Sequence, residues 1–497
     1  MNRKHIVVFA LLPLVAACSV APKFEQPAVE TPEDFKQAAE ALPESERGQW
    51  KAGEPAEAQP RGEWWRAFRD PVLDELMTAA LADSPTLQVA AARVDQSRAV
   101  LGITSADRMP TVTAGVGPFN TRPSPGSQGL PPGADTSATT LWRANAVASY
   151  ELDLFGRVKN NVLAAKQDLE GAEATYRSVV LALQADVART YFDLREADLD
   201  VQLLRDALQL RERNMQLVVA RFENGATSEL DVARARAEQS AVRADLEATR
   251  GRRVQLEAAL AVLVGRAPAS FALEAASDLP LPPTIPAGLP STLLERRPDI
   301  VAAQRTLVAS NARIGVAKSA FFPSVRLTGQ GGFESEDIGD LFRWSSRTWF
   351  LGPFLGTLLS VPIIDGGRNK SELARTRAVY EQSVGEYRNR VLSAFGDVEG
   401  SLAGLRSLSA QAGAIDDALQ ASRRAQQIAQ LRYEAGATGY LDVLDAQRTL
   451  VDVERNANRI RGAQVTGTVA LIRALGGGWG DVPAVAGAPA AEMTAAK

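Results

Sequence analysis

Cysteine and histidine are all but missing from this sequence: Cys18 and His5 are the sole examples among 497 residues. One cysteine cannot make an intrachain disulfide. Once the N-terminal segment described below is removed, no histidine is left and Cys18 becomes the first residue. Ser-His-Asp and Cys-His catalysis are then excluded, with every zinc site built on His or Cys. Carboxylate chemistry stays formally open. The expectation is a protein that is not an enzyme and has no metal or cofactor. Charge of one sign is also lacking. A net charge of −4 gives no reason to expect a nucleic-acid partner. The hydrophobic content of 45% is ample for a large core.

The N-terminus differs in kind from the rest. Arg3 and Lys4 precede the apolar run Ile6 to Val15, which is too short to cross a bilayer, and small residues follow. This reads as a signal peptide over 1–17. Val15-Ala16-Ala17-Cys18 resembles the lipobox of bacterial lipoproteins, with Val at −3 rather than the commoner Leu. Cys18 is therefore the expected lipidation site. Several acyl chains make a firm anchor, since each buried methylene contributes about 0.8 kcal/mol. Ser19, rather than Asp, implies sorting to the outer membrane.

Beyond the leader the chain is written twice. Arg221-Phe222-Glu223-Asn224-Gly225-Ala226-Thr227 recurs as Arg432-Tyr433-Glu434-Ala435-Gly436-Ala437-Thr438, 211 residues on. Gly156-Arg157 matches Gly367-Arg368 at the same offset, and Pro85, Gly102, Pro110 and Val112 match Pro298, Gly315, Pro323 and Val325 at 213. The expected layout is an acylated irregular segment (18–62), repeat 1 (63–264), a Pro/Ala-rich linker (265–290), repeat 2 (291–479) and an irregular tail (480–497). The fold is expected to be mainly α with a small β part, each repeat giving helix, two strands, long helix, turn and helix.

No proline interrupts Arg157 to Glu223. Val187, Tyr191, Leu194, Val201, Leu204, Leu208, Met215, Val218 and Phe222 fall at spacings of three, four and seven, the seam of an antiparallel bundle. Asp198 and Arg211 lie on this seam and weaken it locally. A helix of roughly 67 residues is about 100 Å long. The stretches Pro71–Asp107 and Ser228–Val264 read as helices of about half that length. Pro110 and Pro323 end the incoming helices.

Between the helices, Val112, Ala114 and Val116 alternate with Thr111, Thr113 and Gly115. Trp142, Ala144, Ala146, Ala148 and Tyr150 alternate with Arg143, Asn145, Ser149 and Glu151, and Val325 and Leu327 with Arg326, Thr328 and Gln330. The fourth strand, Trp349 to Val361, contains Pro353 and alternates poorly. One apolar and one polar face suit a barrel with lipid outside and water inside. An ordinary sheet on a soluble core is the alternative, which topology disfavours. Four strands cannot close a barrel, and open edges cannot face lipid. A homotrimer gives twelve strands, with the loops Phe119–Thr139 and Glu334–Thr348 outside the cell.

Several ordered motifs carry a resemblance. They are Glu63-Trp64-Trp65 through Phe68, Asp70-Pro71 and Leu73; Glu151-Leu152-Asp153-Leu154-Phe155-Gly156-Arg157; Glu295-Arg296-Arg297-Pro298-Asp299-Ile300; Phe321-Phe322-Pro323-Ser324; and Pro362-Ile363-Ile364-Asp365-Gly366-Gly367-Arg368. Together they resemble the TolC-like outer-membrane factors, in particular the lipidated, OprM-like branch. The resemblance implies a trimer with a twelve-stranded barrel over a periplasmic α-barrel. It implies a passive exit duct fed by a periplasmic adaptor and an inner-membrane transporter of the resistance-nodulation-division class. A lipid-anchored periplasmic adaptor without a pore is the competing reading.

The two turns differ just past their shared core. After Leu230-Asp231-Val232 the first has Ala233-Arg234, whereas after Leu441-Asp442-Val443 the second has Leu444-Asp445. Asp442 and Asp445, three apart, share a helix face. A carboxylate near a helix start has a bland reading as a cap or dipole partner, which suits Asp231. By resemblance, Leu441, Asp442 and Asp445 match the rings that close such ducts at the periplasmic end. Thr438 stands where the family's namesake has an arginine, so closure is expected to rest on Leu441 and Tyr440. The turns Gly225-Ala226-Thr227 and Gly436-Ala437-Thr438 are the expected adaptor contacts, although a short turn needs its glycine in any case.

Overall fold

The computed structural model describes residues 20–29, 35–36, 63–283, 297–351 and 359–477. The signal peptide, Cys18, most of 18–62, the end of the linker and the tail lie outside the described residues. Two compact units divide the chain. One holds residues 1–28, 94–172 and 302–387, the other 29–93, 173–301 and 388–497.

The described helices are α1 (Pro71–Asp83), α2 (Pro85–Ala106), α3 (Arg157–Glu223), α4 (Glu229–Leu263), α5 (Pro298–Ser319), α6 (Arg368–Glu434) and α7 (Tyr440–Ala474). The strands are β1 (Thr111–Thr121), β2 (Thr139–Leu152), β3 (Ser324–Ser335), β4 (Arg347–Leu351) and β5 (Leu359–Ser360). The duplication is visible in the lengths. Helices α3 and α6 have 67 residues each, α4 and α7 have 35, and α2 and α5 have 22.

The incoming helix of repeat 1 differs from expectation. It is two helices rather than one, because Ser84 has ψ 120° ahead of Pro85, whose ring disfavours a helical predecessor. Asp70 caps α1, accepting from the Val72 and Leu73 amides at 3.0 and 3.2 Å. Its second oxygen accepts from the Tyr191 hydroxyl at 2.6 Å, which ties α1 to α3. Around this bond Trp64, Trp65, Phe68, Leu73 and Met77 pack on Val187, Phe192, Leu194 and Leu260, the core of the second unit. The Glu63-Trp64-Trp65 motif is thus a packing motif. Its Trp64 indole donates to Gln184 at 3.2 Å.

Asp198 is buried and paired, and does not loosen the seam. It accepts from Arg253 at 2.6 Å, from Arg195 at 3.1 Å and from the Ala276 amide at 3.2 Å. Arg253 and Arg195 also donate to the Leu273 and Glu274 carbonyls. The first part of the linker is stitched to α3 and α4 through this carboxylate.

In the first unit the order is β1-β2-β3-β4, with β5 also on β3, all antiparallel. Of the expected fourth strand, residues 352–358 with Pro353 lie outside the described residues, and the described parts on either side pair with β3 in registers that differ by four residues. An even shift keeps the alternation of faces. Register carries the pattern across the sheet. Val112, Ala148 and Gly329 stand side by side, as do Ala114, Ala146 and Gly331, and Val116, Ala144 and Phe333. On the opposite face lie Thr113, Val147 and Gln330, then Gly115, Asn145 and Gly332, then Gly117, Arg143 and Glu334. Arg143 donates to Glu334 at 2.7 Å and covers the Phe119 ring. Among the described residues no helix is long and apolar enough to cross a membrane. The sheet has the two-faced pattern of a membrane strand.

Candidate functional site

The candidate site is the pair of turns joining α3 to α4 and α6 to α7, both in the second unit. Each long helix ends on a left-handed glycine, Gly225 at φ 73° and Gly436 at φ 70°. The following amides, Ala226 and Ala437, donate back to the Arg221 and Arg432 carbonyls at 2.8 Å. This is the reversal a side chain would strain.

The two turns are restarted by different means. Ser228 caps α4 and forms a reciprocal box with Asp231. Asp231 also accepts from the Thr227 hydroxyl at 2.7 Å, and that bond, first, holds its carboxyl below the usual range. Asp231 is thus a capping residue, its bland reading. In the second turn Gly439 is the N-cap and offers no side chain. Thr438 donates to Asp442. Tyr440 is buried at 3% exposure among Val218, Ala235, Tyr433, Val443 and Leu444. Its ring lies 5.7 Å from that of Tyr433, and burial pushes its hydroxyl up.

The expected gate residues therefore separate. Leu441 is 42% exposed, and the Asp445 side chain is 63% exposed, with Arg448 at 4.0 Å. Asp442 is exposed as well. Tyr440 is buried in the protomer, packed on Val218 and Tyr433. Ala226 and Ala437 are exposed at the turn ends, and Thr227 and Thr438 are half-buried.

Above the second turn lies a set of residues that sequence reasoning did not bring together. Arg211 of α3, 2% exposed, donates to the Gln447 side chain of α7, which also accepts from Asn214 at 3.1 Å. Glu238 of α4 lies 3.9 Å from Arg211 and accepts from Arg448 of α7. Burial pulls the Arg211 guanidinium down, whereas the Arg448 bond holds the Glu238 carboxyl low. Three helices from both repeats are thus joined through polar side chains in the bundle interior. The only sequence signal was a charged residue, Arg211, on an apolar seam.

A sheet with one apolar face and, among the described residues, unpaired outer edges, supplied with two very long helices by a duplicated chain, defines a barrel-forming membrane duct. The chain belongs to the outer membrane efflux protein family, whose model matches residues 76–266 and 289–477. It is similar to the cation efflux system protein CusC of Escherichia coli, 31% identical over 483 residues, or 96% of this chain and 100% of that one. The toluene efflux pump outer membrane protein TtgF of Pseudomonas putida is 32% identical over 481 residues, covering 97% and 98%. The structure of the outer-membrane channel OprN matches with a TM-score of 0.82 at 28% identity, covering 93% of this chain and all of that one. The protein is accordingly a TolC-like outer-membrane channel of an efflux system, extending into the periplasm. The adaptor reading is set aside.

Proposed function

We propose that three copies of this chain form a duct that passively conducts small solutes out of the periplasm, with Leu441, Asp442 and Asp445 lining its periplasmic gate. The observation that carries this reading is the sheet, apolar on one face and unpaired at β1 and β4 among the described residues. Such edges are satisfied in lipid only by other copies. Similar relatives are named for cations and for toluene, cargoes with no shared chemistry. That contrast favours a duct that does not read its cargo. Energy and selection would come from an inner-membrane transporter of the resistance-nodulation-division class through a periplasmic adaptor. The adaptor would meet the small residues Gly225, Ala226 and Thr227, and Gly436, Ala437 and Thr438. The duct would have no catalytic role and no cofactor, and Cys18 would anchor it to outer-membrane lipid.

Three copies each of Asp442 and Asp445 around a narrow opening would concentrate cations and disfavour anions. Asp445→Ala with Leu441→Ala is expected to raise single-channel conductance in planar bilayers, and an unchanged conductance would remove these residues from the gate. Ala226→Trp or Ala437→Trp should abolish drug efflux while trimers persist. Unaltered drug susceptibility counts against the adaptor contact.

A further inference from the structure

The register of the sheet puts a charge on its apolar side. In β4, Arg347 stands beside Phe333 and Trp349 beside Gly331. Cross-strand neighbours share a face, so both belong with Val116, Ala144 and Phe333 rather than with Arg143 and Glu334. Toward the ends of the strands that side continues with Pro118, Trp142 and Ser335, and toward the helices with Tyr150, Val325 and Leu327. Among the described strand residues, Arg347 is the one charged side chain on this face.

The two faces treat their arginines differently. On the polar face Arg143 is paired with Glu334 at 2.7 Å. Arg347 is exposed and has no acidic partner among the described residues. Its Nε donates to the Trp344 carbonyl at 2.9 Å, and its guanidinium lies over the Trp344 ring. The N–H groups of its two terminal nitrogens are left for an acceptor from outside the chain.

Exposed rings surround this charge. Trp344 and Trp349 are 75% and 71% exposed, and Phe342, at 70%, meets Phe333 edge-on with centroids 5.6 Å apart. Because Phe333 belongs to the apolar face, Phe342 brings the β3–β4 loop to the lipid side of the sheet. Trp344, under Arg347, stands on that side too. Arg347 opens β4, at the end of the strands away from α3 and α5. The helices extend into the periplasm, so this end is the outer one.

An arginine on the lipid face is costly at the middle of the bilayer and tolerated at its interface, where aromatic girdles also sit. At that depth the available acceptors are lipid headgroups, and a guanidinium presents a planar fork that fits phosphate. From this we infer that Arg347 seats the phosphate of a phosphorylated lipid of the outer leaflet, with Phe342 and Trp349 lying against its acyl chains. Trp344 is a positioning residue, holding the guanidinium by its carbonyl and its ring. The occupant is a lipid rather than free phosphate, because the charge stands within exposed aromatic surface that an apolar tail would cover.

This inference rests on the trimeric barrel of the proposed function, and the experiment separates the two. The full chain is purified from outer membranes as wild type, Arg347→Gln, Trp344→Leu and Trp344→Phe. Native mass spectrometry then reads both the trimer and the lipid bound to it. The probes are bisphosphorylated lipid A and the same glycolipid stripped of its phosphates. The wild type is expected to bind the phosphorylated form about tenfold more tightly, the effect of one charge-assisted contact. Arg347→Gln should erase that preference while the trimer persists. Trp344→Leu should weaken it and Trp344→Phe, which keeps a ring, should restore it. Inorganic phosphate at the same concentration should leave the lipid in place. An equal preference in wild type and Arg347→Gln overturns the seat, and so does displacement by free phosphate. Loss of the trimer in Arg347→Gln overturns it too, since the residue would then serve a second copy of the chain. A preference unchanged in Trp344→Leu overturns the positioning role. A wild-type chain that forms no trimer would overturn the duct itself.

Discussion

Replacing Glu238 with Gln tests whether polar contacts in the bundle interior hold the two repeats together above the turns. Glu238 accepts from Arg448 and lies 3.9 Å from Arg211, whose side chain is almost wholly buried. Two unit charges at about 4 Å attract by roughly 4 kcal/mol at an effective dielectric of 20, before desolvation is counted. The Arg448 share is small, because its side chain is half-exposed and can return to water. Removing one member of a buried pair costs about 3–5 kcal/mol, since the other charge stays behind. Gln keeps the volume and one hydrogen bond, so the lower figure applies. About 3 kcal/mol corresponds to a local opening equilibrium roughly a hundredfold more favourable. Hydrogen exchange on the intact protein should show this at the amides around Gln447 and Glu238. Arg211→Met added to Glu238→Gln removes both charges and should restore protection to within about 1 kcal/mol. The sign with pH follows from the low carboxyl of Glu238. Its stabilisation is present above the unfolded value of 4.5 and is lost as pH falls through the folded one. Protection in the wild type should therefore decline below about pH 4.5, and the variant should lack that step. Exchange in Glu238→Gln equal to wild type, or a double variant as weak as the sum of its parts, refutes the account.

The linker and the anchor give two further tests. Asp198→Ala leaves Arg195 and Arg253 without their shared carboxylate, a loss of about 3–5 kcal/mol, and should speed limited proteolysis within 265–283. An unchanged cleavage rate would show that the linker is held by other contacts. Cys18→Ser should abolish metabolic palmitate labelling, and label that persists would disprove lipidation at this residue.

Much of the architecture was legible because the duplication and the helical period are both written in local spacing. The bounds of α3, the glycines of both turns, the Ser228 start of α4 and the apolar face of β1 and β2 all follow from residues near in sequence. What was misread depended on distant partners. Asp198 looked like a defect because Arg253 is 55 residues away, and Arg211 because Gln447 is 236 away. Tyr440 stood beside an exposed turn in sequence, yet its ring turns inward onto Tyr433 and Val218. The break at Ser84 was legible in Pro85, because a proline disfavours a helical residue before it. The fourth strand stayed obscure because its two described pieces pair with β3 in registers four residues apart.

The unlike restarts of the two turns have a thermal consequence. The start of α4 is held by hydrogen bonds of Ser228, Thr227 and Asp231, whereas the start of α7 has no side-chain cap, keeps the single bond from Thr438 to Asp442 and adds the burial of Tyr440. Apolar burial weakens on cooling, and a carboxylate cap does not share that dependence. Chilling should therefore loosen the second turn before the first. A chain copied from itself has in this way acquired two ends that answer differently to cold.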